Sequence, residues 1–236
     1  MTRAARLFVA VGLACAAAAA CSRARETATT STAPVTMSSR ASNDAGSSID
    51  GLVPSGWRIE QRHDADLNGD GRTDALLVLR QGDVAVPPRT LLVALAANGP
   101  STYAANATNA TLIPSDASGQ IEDPLMDGGI EVRPQEFDVT LMFAAASGSA
   151  QTATVRYRFH WQNGCFQLVE FRRAETNRAS LDIRDVTANL ITGEVASTTG
   201  NESSGDKKIV RSRLTNLSPR CLPDLPGGLD YDPTRN

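Results

Sequence analysis

The segment Val155-Arg-Tyr-Arg-Phe-His-Trp161 alternates strictly between apolar and polar side chains. A period of two is typical of a β-strand that buries one face. Asn163-Gly164 follows, a pair suited to the positive φ angles of a type I′ turn, and alternation resumes at Phe166-Gln-Leu168. The pattern slips around Val169-Glu-Phe171, which indicates a β-bulge. We therefore predict a β-hairpin here.

Short runs of similar character recur before this hairpin, and no stretch shows convincing helical periodicity with caps. The runs are Trp57–Ile59, Ala75–Leu79, Thr90–Leu95, Ile130–Val132 and Phe137–Phe143. Strands of this spacing predict an all-β single domain of antiparallel strands, a sandwich or a propeller-like stack, with little helix. Segments 99–129 and 196–208 are rich in Gly, Ser and Asn, so we predict loops there.

Length and charge narrow the class of protein. The chain has 236 residues, with 23 basic and 26 acidic ones and a net charge of −3. This length allows one folded domain with appendages or two small domains. A mildly acidic chain without a Lys/Arg run lacks the footprint of a nucleic-acid binder. An apolar content of 41% is too high for a wholly disordered chain and too low for a polytopic membrane protein.

The N-terminus has the layout of a secretory signal over residues 1–20. Arg3 and Arg6 precede an apolar stretch, Leu7 to Ala20, which is too short to span a bilayer. Cys21 follows small residues, and in this the segment resembles the signals of bacterial lipoproteins. The resemblance implies lipidation of Cys21 and anchoring to the outer membrane on its periplasmic side, since Ser22 follows. The alternative is ordinary secretion.

Composition divides the remaining chain into three parts. Residues 21–50 are rich in Ser, Thr and Ala and cannot bury enough surface to order themselves, so they predict a flexible tether. Residues 51–222 form the predicted β-domain, and residues 223–236 a Pro/Gly-rich tail. Cys165 and Cys221 are the two cysteines of the domain. In an oxidising periplasm such a pair favours a disulfide over a catalytic thiol.

Residues 64–74 read Asp-Ala-Asp-Leu-Asn-Gly-Asp-Gly-Arg-Thr-Asp and match the first nine positions of a calcium loop. The predicted ligands are the side chains of Asp66, Asn68, Asp70 and Asp74 and the carbonyl of Arg72, with Gly71 at the sharp turn. Position twelve is Leu77 instead of a bidentate Glu, so this is not an EF-hand between two helices. The alternative is a calcium-free turn, because Asp, Asn and Gly are also common turn residues.

This loop, followed directly by an apolar strand, resembles the calcium loops of FG-GAP/VCBS-type β-proteins. The likeness extends over residues 56–195 to periplasmic lipoproteins that share Glu122–Leu125, Gly128-Gly129, the strand–turn–strand Tyr157–Gly164 and Asn189–Gly193. Lipoproteins of similar build act as immunity proteins, and they inhibit lysozyme-like effectors of type IV secretion systems. The resemblance therefore implies a peptidoglycan hydrolase as partner.

Catalytic motifs are missing from the sequence. It has no Gly-x-Ser-x-Gly turn, no His/Cys spacing typical of a zinc site and no Gly-rich nucleotide-binding loop. We therefore expect that the chain is not an enzyme. A binding module needs only a complementary surface, and we predict one at the outward face of the hairpin: Arg156, Arg158, His160 and Arg172, with Arg173 nearby. Arginine forks bind carboxylates bidentately. The alternatives are a solvated sheet face at these residues and, for the whole protein, a non-enzymatic envelope scaffold or adhesion module.

Overall fold

A computed structural model describes residues 46–115, 122–125, 129–144, 150–228 and 230–235. The predicted signal peptide, Cys21 and the tether as far as residue 45 lie outside the described residues. Two antiparallel sheets make up the described chain, and the all-β prediction is confirmed. The helical residues described are two 3₁₀ turns, Ile49–Leu52 and Leu222–Asp224. No helix among the described residues is long and apolar enough to cross a membrane.

Both sheets are meanders in which neighbouring strands follow one another in sequence. The four-stranded sheet contains β1 (Trp57–Ala65), β2 (Asp74–Gln81), β3 (Arg89–Ala96) and β4 (Tyr103–Asn109). The seven-stranded sheet contains β5 (Gly129–Arg133), β6 (Glu136–Ala144), β7 (Gln151–Gln162), β8 (Cys165–Asn177), β9 (Asp182–Asn189), β10 (Glu194–Asn201) and β11 (Lys207–Arg213).

The main core lies between the two sheets, as in a sandwich. Apolar side chains of β2 and β3 pack against the aromatic side chains of β6, β7 and β8. The opposite face of the four-stranded sheet is also buried, with Leu77 and Leu92 packed in a cluster that contains Ile49 and Trp57. Because both faces are covered, β2 and β3 are near-continuous apolar runs rather than alternating ones.

The predicted hairpin is confirmed as β7 and β8. Asn163 and Gly164 have φ angles of 53° and 77°, as a type I′ turn requires. The bulge is also confirmed, because Arg158 pairs with Glu170 while the next residue pairs with Leu168. The extra residue in the bulge is therefore Val169.

The two predicted loops are wrong in part. β4 lies inside segment 99–129, and segment 196–208 contains most of β10 and the start of β11. Strand β4 reads Tyr-Ala-Ala-Asn-Ala-Thr-Asn and β10 is mostly small and polar, so neither shows an apolar pattern. Pairing with β3 and with β9 supplies the stabilisation that intrinsic propensity lacks.

The segment predicted as a tail, 223–236, packs into the core over its described residues. Leu225 is buried, Tyr231 is nearly so, and the Tyr157 hydroxyl donates a hydrogen bond to the carbonyl of Gly228. Cys165 and Cys221 are joined by a disulfide, with their Cα atoms 5.9 Å apart. The disulfide fixes the start of this segment to the start of β8.

Candidate calcium loop and binding face

The predicted calcium loop connects β1 to β2 and is closed by its own hydrogen bonds. The Asp66 carboxylate accepts from the backbone N–H groups of Gly69, Asp70 and Gly71 at 2.7, 3.1 and 2.9 Å. Gly71 has a φ angle of 82°, which glycine adopts without strain. Asn68 accepts a further bond from the Asp70 N–H at 3.0 Å.

Asp74 connects this loop to the sheet. It is fully buried, and its carboxylate accepts from the N–H groups of Leu67 at 2.9 Å and Asn68 at 3.3 Å. Its other oxygen accepts from the N–H of Ala96, at the end of β3, at 2.7 Å. Burial raises the pKa of Asp74, and the three amides offset the cost of burying its charge.

The carboxylate of Asp70 binds neighbouring side chains at the exposed side of the loop. The Arg72 guanidinium binds its carboxylate at 2.6 Å, and the Asn68 side-chain amide donates to it at 3.0 Å. The hydrogen bond from Arg72 is the main reason that the pKa of Asp70 is lowered to about 2. Asp70 therefore stays ionised at any physiological pH.

These donors suit calcium by chemistry, since they are hard oxygens on one short loop. Their placement is that of a hydrogen-bonded turn, because Asp70 holds Arg72 and Asp74 holds three amides. Among the described residues, no group of three or more His, Cys, Asp or Glu side chains is arranged to hold a metal ion. Calcium bound by the full predicted set would have to replace some of these hydrogen bonds.

The loop is also tied to the seven-stranded sheet. The N–H of Gln135, in the β5–β6 turn, donates to the Asp66 carbonyl at 2.9 Å, and the Trp161 N–H donates to the Gln135 carbonyl at 2.9 Å. Leu67 is fully buried in the main core. His63 is partly buried beside Gln61, and burial lowers its pKa. The loop is thus a fixed part of the fold.

The outer face of the seven-stranded sheet, defined as the side away from the four-stranded sheet, carries the predicted binding residues. Arg156, Arg158 and His160 alternate with buried residues of β7, and Arg172 lies opposite Arg156. Arg173 points to the other side and is buried. Arg173 therefore cannot belong to this face.

Each of the three outer-face arginines already has a carboxylate partner. Arg156 pairs with Glu170, Arg158 with Asp138 at 2.9 Å, and Arg172 with Asp185 at 2.5 Å. In the free protein this region is therefore an ion-paired sheet face.

Asp138 is the buried member of this network. Burial is the largest influence and raises its pKa, but the hydrogen bonds from Arg158 and Arg133 outweigh it, and the pKa is lowered overall. Ion pairs between neighbouring strands are therefore found from Arg133 on β5 to Asp185 on β9.

Strand β11 is a surface feature that the sequence analysis missed. It reads Lys-Lys-Ile-Val-Arg-Ser-Arg, all seven residues are exposed, and it contains the only two lysines of the chain. Two of the exposed large apolar side chains described, Ile209 and Val210, lie on it. A shallow depression of about 580 Å³ on the outer face extends from Glu170 to Arg213.

Comparison with protein-family models, curated proteins and solved structures found no match to this chain.

Proposed function

We propose that this chain is a periplasmic lipoprotein, anchored to the outer membrane through Cys21, that binds and inhibits a lysozyme-like peptidoglycan hydrolase as an immunity protein. The signal-like N-terminus, the tether and the resemblance of the loop and its following strand to FG-GAP/VCBS-type lipoproteins support the location and the class of partner. Inhibition by occlusion requires no reacting group, and the proposal assigns no catalytic residue.

The observation that carries the proposal is the outer face of the seven-stranded sheet, which no described element covers. Its charged side chains are held by cross-strand ion pairs such as Arg158–Asp138 and Arg172–Asp185. A surface already ordered in the free protein loses little conformational entropy when a partner binds. Arg156, His160 and their neighbours would form the rim of such an interface, where charges set orientation and association rate more than affinity.

Calcium is proposed as a stabiliser of the loop between β1 and β2. Asp66, Asn68, Asp70, Asp74 and the carbonyl of Arg72 are the donors, and the ion would take the place of Arg72 on Asp70. Without the twelfth ligand we expect a weak site of the extracellular range, about 10⁻⁴–10⁻³ M. At ten times its dissociation constant, calcium would add about 1.4 kcal/mol of stability.

The test is protection of peptidoglycan from hydrolysis. The full chain is mixed with purified peptidoglycan and a panel of lysozyme-type hydrolases, with calcium or with chelator, and the loss of turbidity is followed. We expect stoichiometric protection against at least one hydrolase. Arg172→Glu should weaken protection about tenfold, whereas Arg58→Glu, an exposed change on β1, should leave it unchanged. No protection would reject inhibition and favour the scaffold; lysis by the chain alone would make it an enzyme.

A further inference from the structure

We propose that β11 recognises the partner by β-strand addition, and that the strand added is an extended acidic segment of the partner protein. This inference rests on the proposed binding function and gives that function a location and a chemistry.

Within the part of the chain that the structure describes, strand β11 has one open edge. Among those residues it pairs with β10 alone, and this pairing is continued at its two ends, where the Asn201 N–H donates to the Asp206 carbonyl and the Leu214 N–H donates to the Gly193 carbonyl. In an antiparallel pair, hydrogen bonding to the neighbour alternates along the strand. The N–H and C=O groups of the odd-numbered residues, 207 to 213, therefore point to the open edge, where an added strand would find them.

The same residues present their side chains on the outer face. Lys207, Arg211 and Arg213 share it with Ile209, whereas Lys208 and Val210 lie on the opposite face, as the register with β10 requires. Ile209 is 59% and Val210 49% exposed. In strand addition, backbone hydrogen bonds give affinity and side chains give specificity. The open edge of β11 offers both, because it has outward-pointing backbone groups and an exposed apolar residue between cations.

The cations of β11 differ from those of the rest of the sheet. Arg158 and Arg172 have close carboxylate partners, but among the described residues no ion pair forms at Lys207, Lys208 or Arg211, and Arg213 reaches Glu194 only at 3.9 Å. Strand β11 carries four cations and no acid in seven residues. Its charge is therefore available to a partner.

The positive charge of β11 determines which kind of strand can add to its open edge. A second copy of β11 added antiparallel would bring four more cations against these four, and like charges opposite one another destabilise a sheet. Charged edges of this kind oppose self-association. The chain's own residues 22–45 carry three basic and two acidic side chains and offer no complement. An acidic strand pairs with these cations, with acids opposite Lys207 and Arg211 and an apolar residue opposite Ile209.

A designed peptide tests strand addition directly. The probe is Glu-Thr-Glu-Val-Ile-Glu-Glu, written to run antiparallel to β11, and its control has lysine in place of each glutamate. Both are titrated into the full ¹⁵N-labelled chain, and amide shifts and amide hydrogen exchange are recorded. We expect the acidic peptide to bind at least tenfold more tightly than the basic one and to slow exchange at residues 207, 209, 211 and 213.

Two variants separate strand addition from simple charge attraction. Ile209→Pro removes an N–H that points to the open edge, so the bonds to β10 remain, and edge strands tolerate proline; binding should fall at least tenfold, while Ile209→Thr retains it. The double change Lys207→Glu with Arg211→Glu should reverse the preference between the two peptides. Acidic-peptide binding that Ile209→Pro leaves intact, or that leaves the exchange of these amides unaltered, would overturn the inference.

The hydrolase assay tests this inference and the proposed function separately. If wild type and Ile209→Pro protect peptidoglycan equally, the function stands and the role of β11 is rejected. If the peptide adds to β11 but no hydrolase is inhibited, strand addition stands and the hydrolase is rejected as partner. Sedimentation that shows a dimer of wild type but not of Ile209→Pro would overturn the acidic occupant in favour of a second copy.

Discussion

Asp74 shows how one residue of a predicted metal loop can stabilise the fold by itself. Its carboxylate satisfies three backbone amides that belong to the loop and to the end of β3. Such amides would otherwise be buried without partners, which costs about 1–3 kcal/mol each. The residue at loop position nine is thus required by the sheet whether or not an ion is present.

Asp74→Asn should lower the free energy of unfolding by about 2 kcal/mol in chelator, because an amide nitrogen cannot accept from these N–H groups, and by more in calcium, because the variant also loses a calcium ligand. Asp70→Asn should leave the stability in chelator within about 0.5 kcal/mol, since Asp70 is an exposed surface residue, and should abolish stabilisation by calcium. Urea unfolding of both variants with calcium or chelator measures this. Equal stability of Asp74→Asn and wild type in chelator would contradict it.

Asn109 is a buried connector between β4 and the C-terminal segment. Its amide donates to the carbonyls of Leu222 and Leu225 at 2.7 and 2.9 Å, and its oxygen accepts from the N–H groups of Thr111 and Leu112. Both ends of the side chain are therefore satisfied in the core.

Asn109→Ala should destabilise by about 3 kcal/mol because it leaves buried carbonyls and amides without partners. Asn189→Ala is the matched control, since Asn189 accepts the same pair of local N–H bonds in an exposed turn; its cost should stay below about 1 kcal/mol. Denaturant unfolding of the two variants distinguishes them, and equal losses would show that burial of Asn109 adds nothing.

At the scale of elements, the strands that could be predicted are those whose own side chains are apolar. The hairpin of β7 and β8 could be predicted from its alternating side chains and its Asn-Gly turn. The apolar runs in β2, β3 and β6 are equally clear signals. Strands β4, β10 and β11 contain mainly small, polar or charged residues, and they are strands because a neighbour offers a hydrogen-bonding edge. Sequence periodicity carries no information on that edge.

The candidate site, too, could be predicted from the sequence only in part. Alternation was enough to place Arg156, Arg158 and His160 on the outward face of β7. It could not show that Glu170 and Asp138 neutralise two of these arginines, because those contacts depend on strand register and, for Glu170, on the bulge at Val169. The open edge of β11 could not be found either, since it depends on the order of strands in the sheet.

Arg89 joins β3 to β1 and to the segment before β5. Its guanidinium binds Glu60 at 2.6 Å and Asp123 at 2.6 Å, and it is only 7% exposed. The hydrogen bond from Arg89 is the main reason that the pKa of Glu60 is lowered. At pH values above the ordinary glutamate pKa of about 4.3, this ion cluster contributes its full stabilisation. The stabilisation is lost as the pH falls through the lowered pKa of Glu60.

Arg89→Met should therefore cost about 3 kcal/mol at pH 7, because it leaves the partly buried Asp123 without its cation and Glu60 with Arg80 alone. The difference from wild type should shrink at pH 3, where protonation removes the need for that cation. Arg62→Met, which removes an exposed arginine paired with Asp64, should cost less than about 1 kcal/mol at either pH. Urea unfolding at both pH values measures this, and a loss that does not depend on pH would refute the electrostatic account.

At the scale of the whole molecule, the C-terminal segment holds the sandwich together. Its residues contribute to the core between the sheets, the disulfide Cys165–Cys221 fixes its start, and Asn109 binds its first carbonyls. Gly227 lies so close to the segment after β4 that a Cβ atom there would come within 1.6 Å of the Thr111 carbonyl oxygen. A segment this tightly packed serves the core, although its Pro and Gly content is typical of a tail.

A chain that ends after Cys221 tests this role, because it retains the disulfide and lacks only the packed segment. It loses Leu222, Leu225 and Tyr231 from the core, at about 1.5–3 kcal/mol for each large apolar side chain. That total approaches the stability of a whole domain, 5–15 kcal/mol, so we expect no cooperative melting and rapid proteolysis. A chain that ends after Thr234 loses only Asn236 and the exposed Arg235 with its pairs, and should melt within a few degrees of wild type. Cooperative melting of the shorter chain near the wild-type temperature would show that residues 223–236 are the tail that their composition predicts.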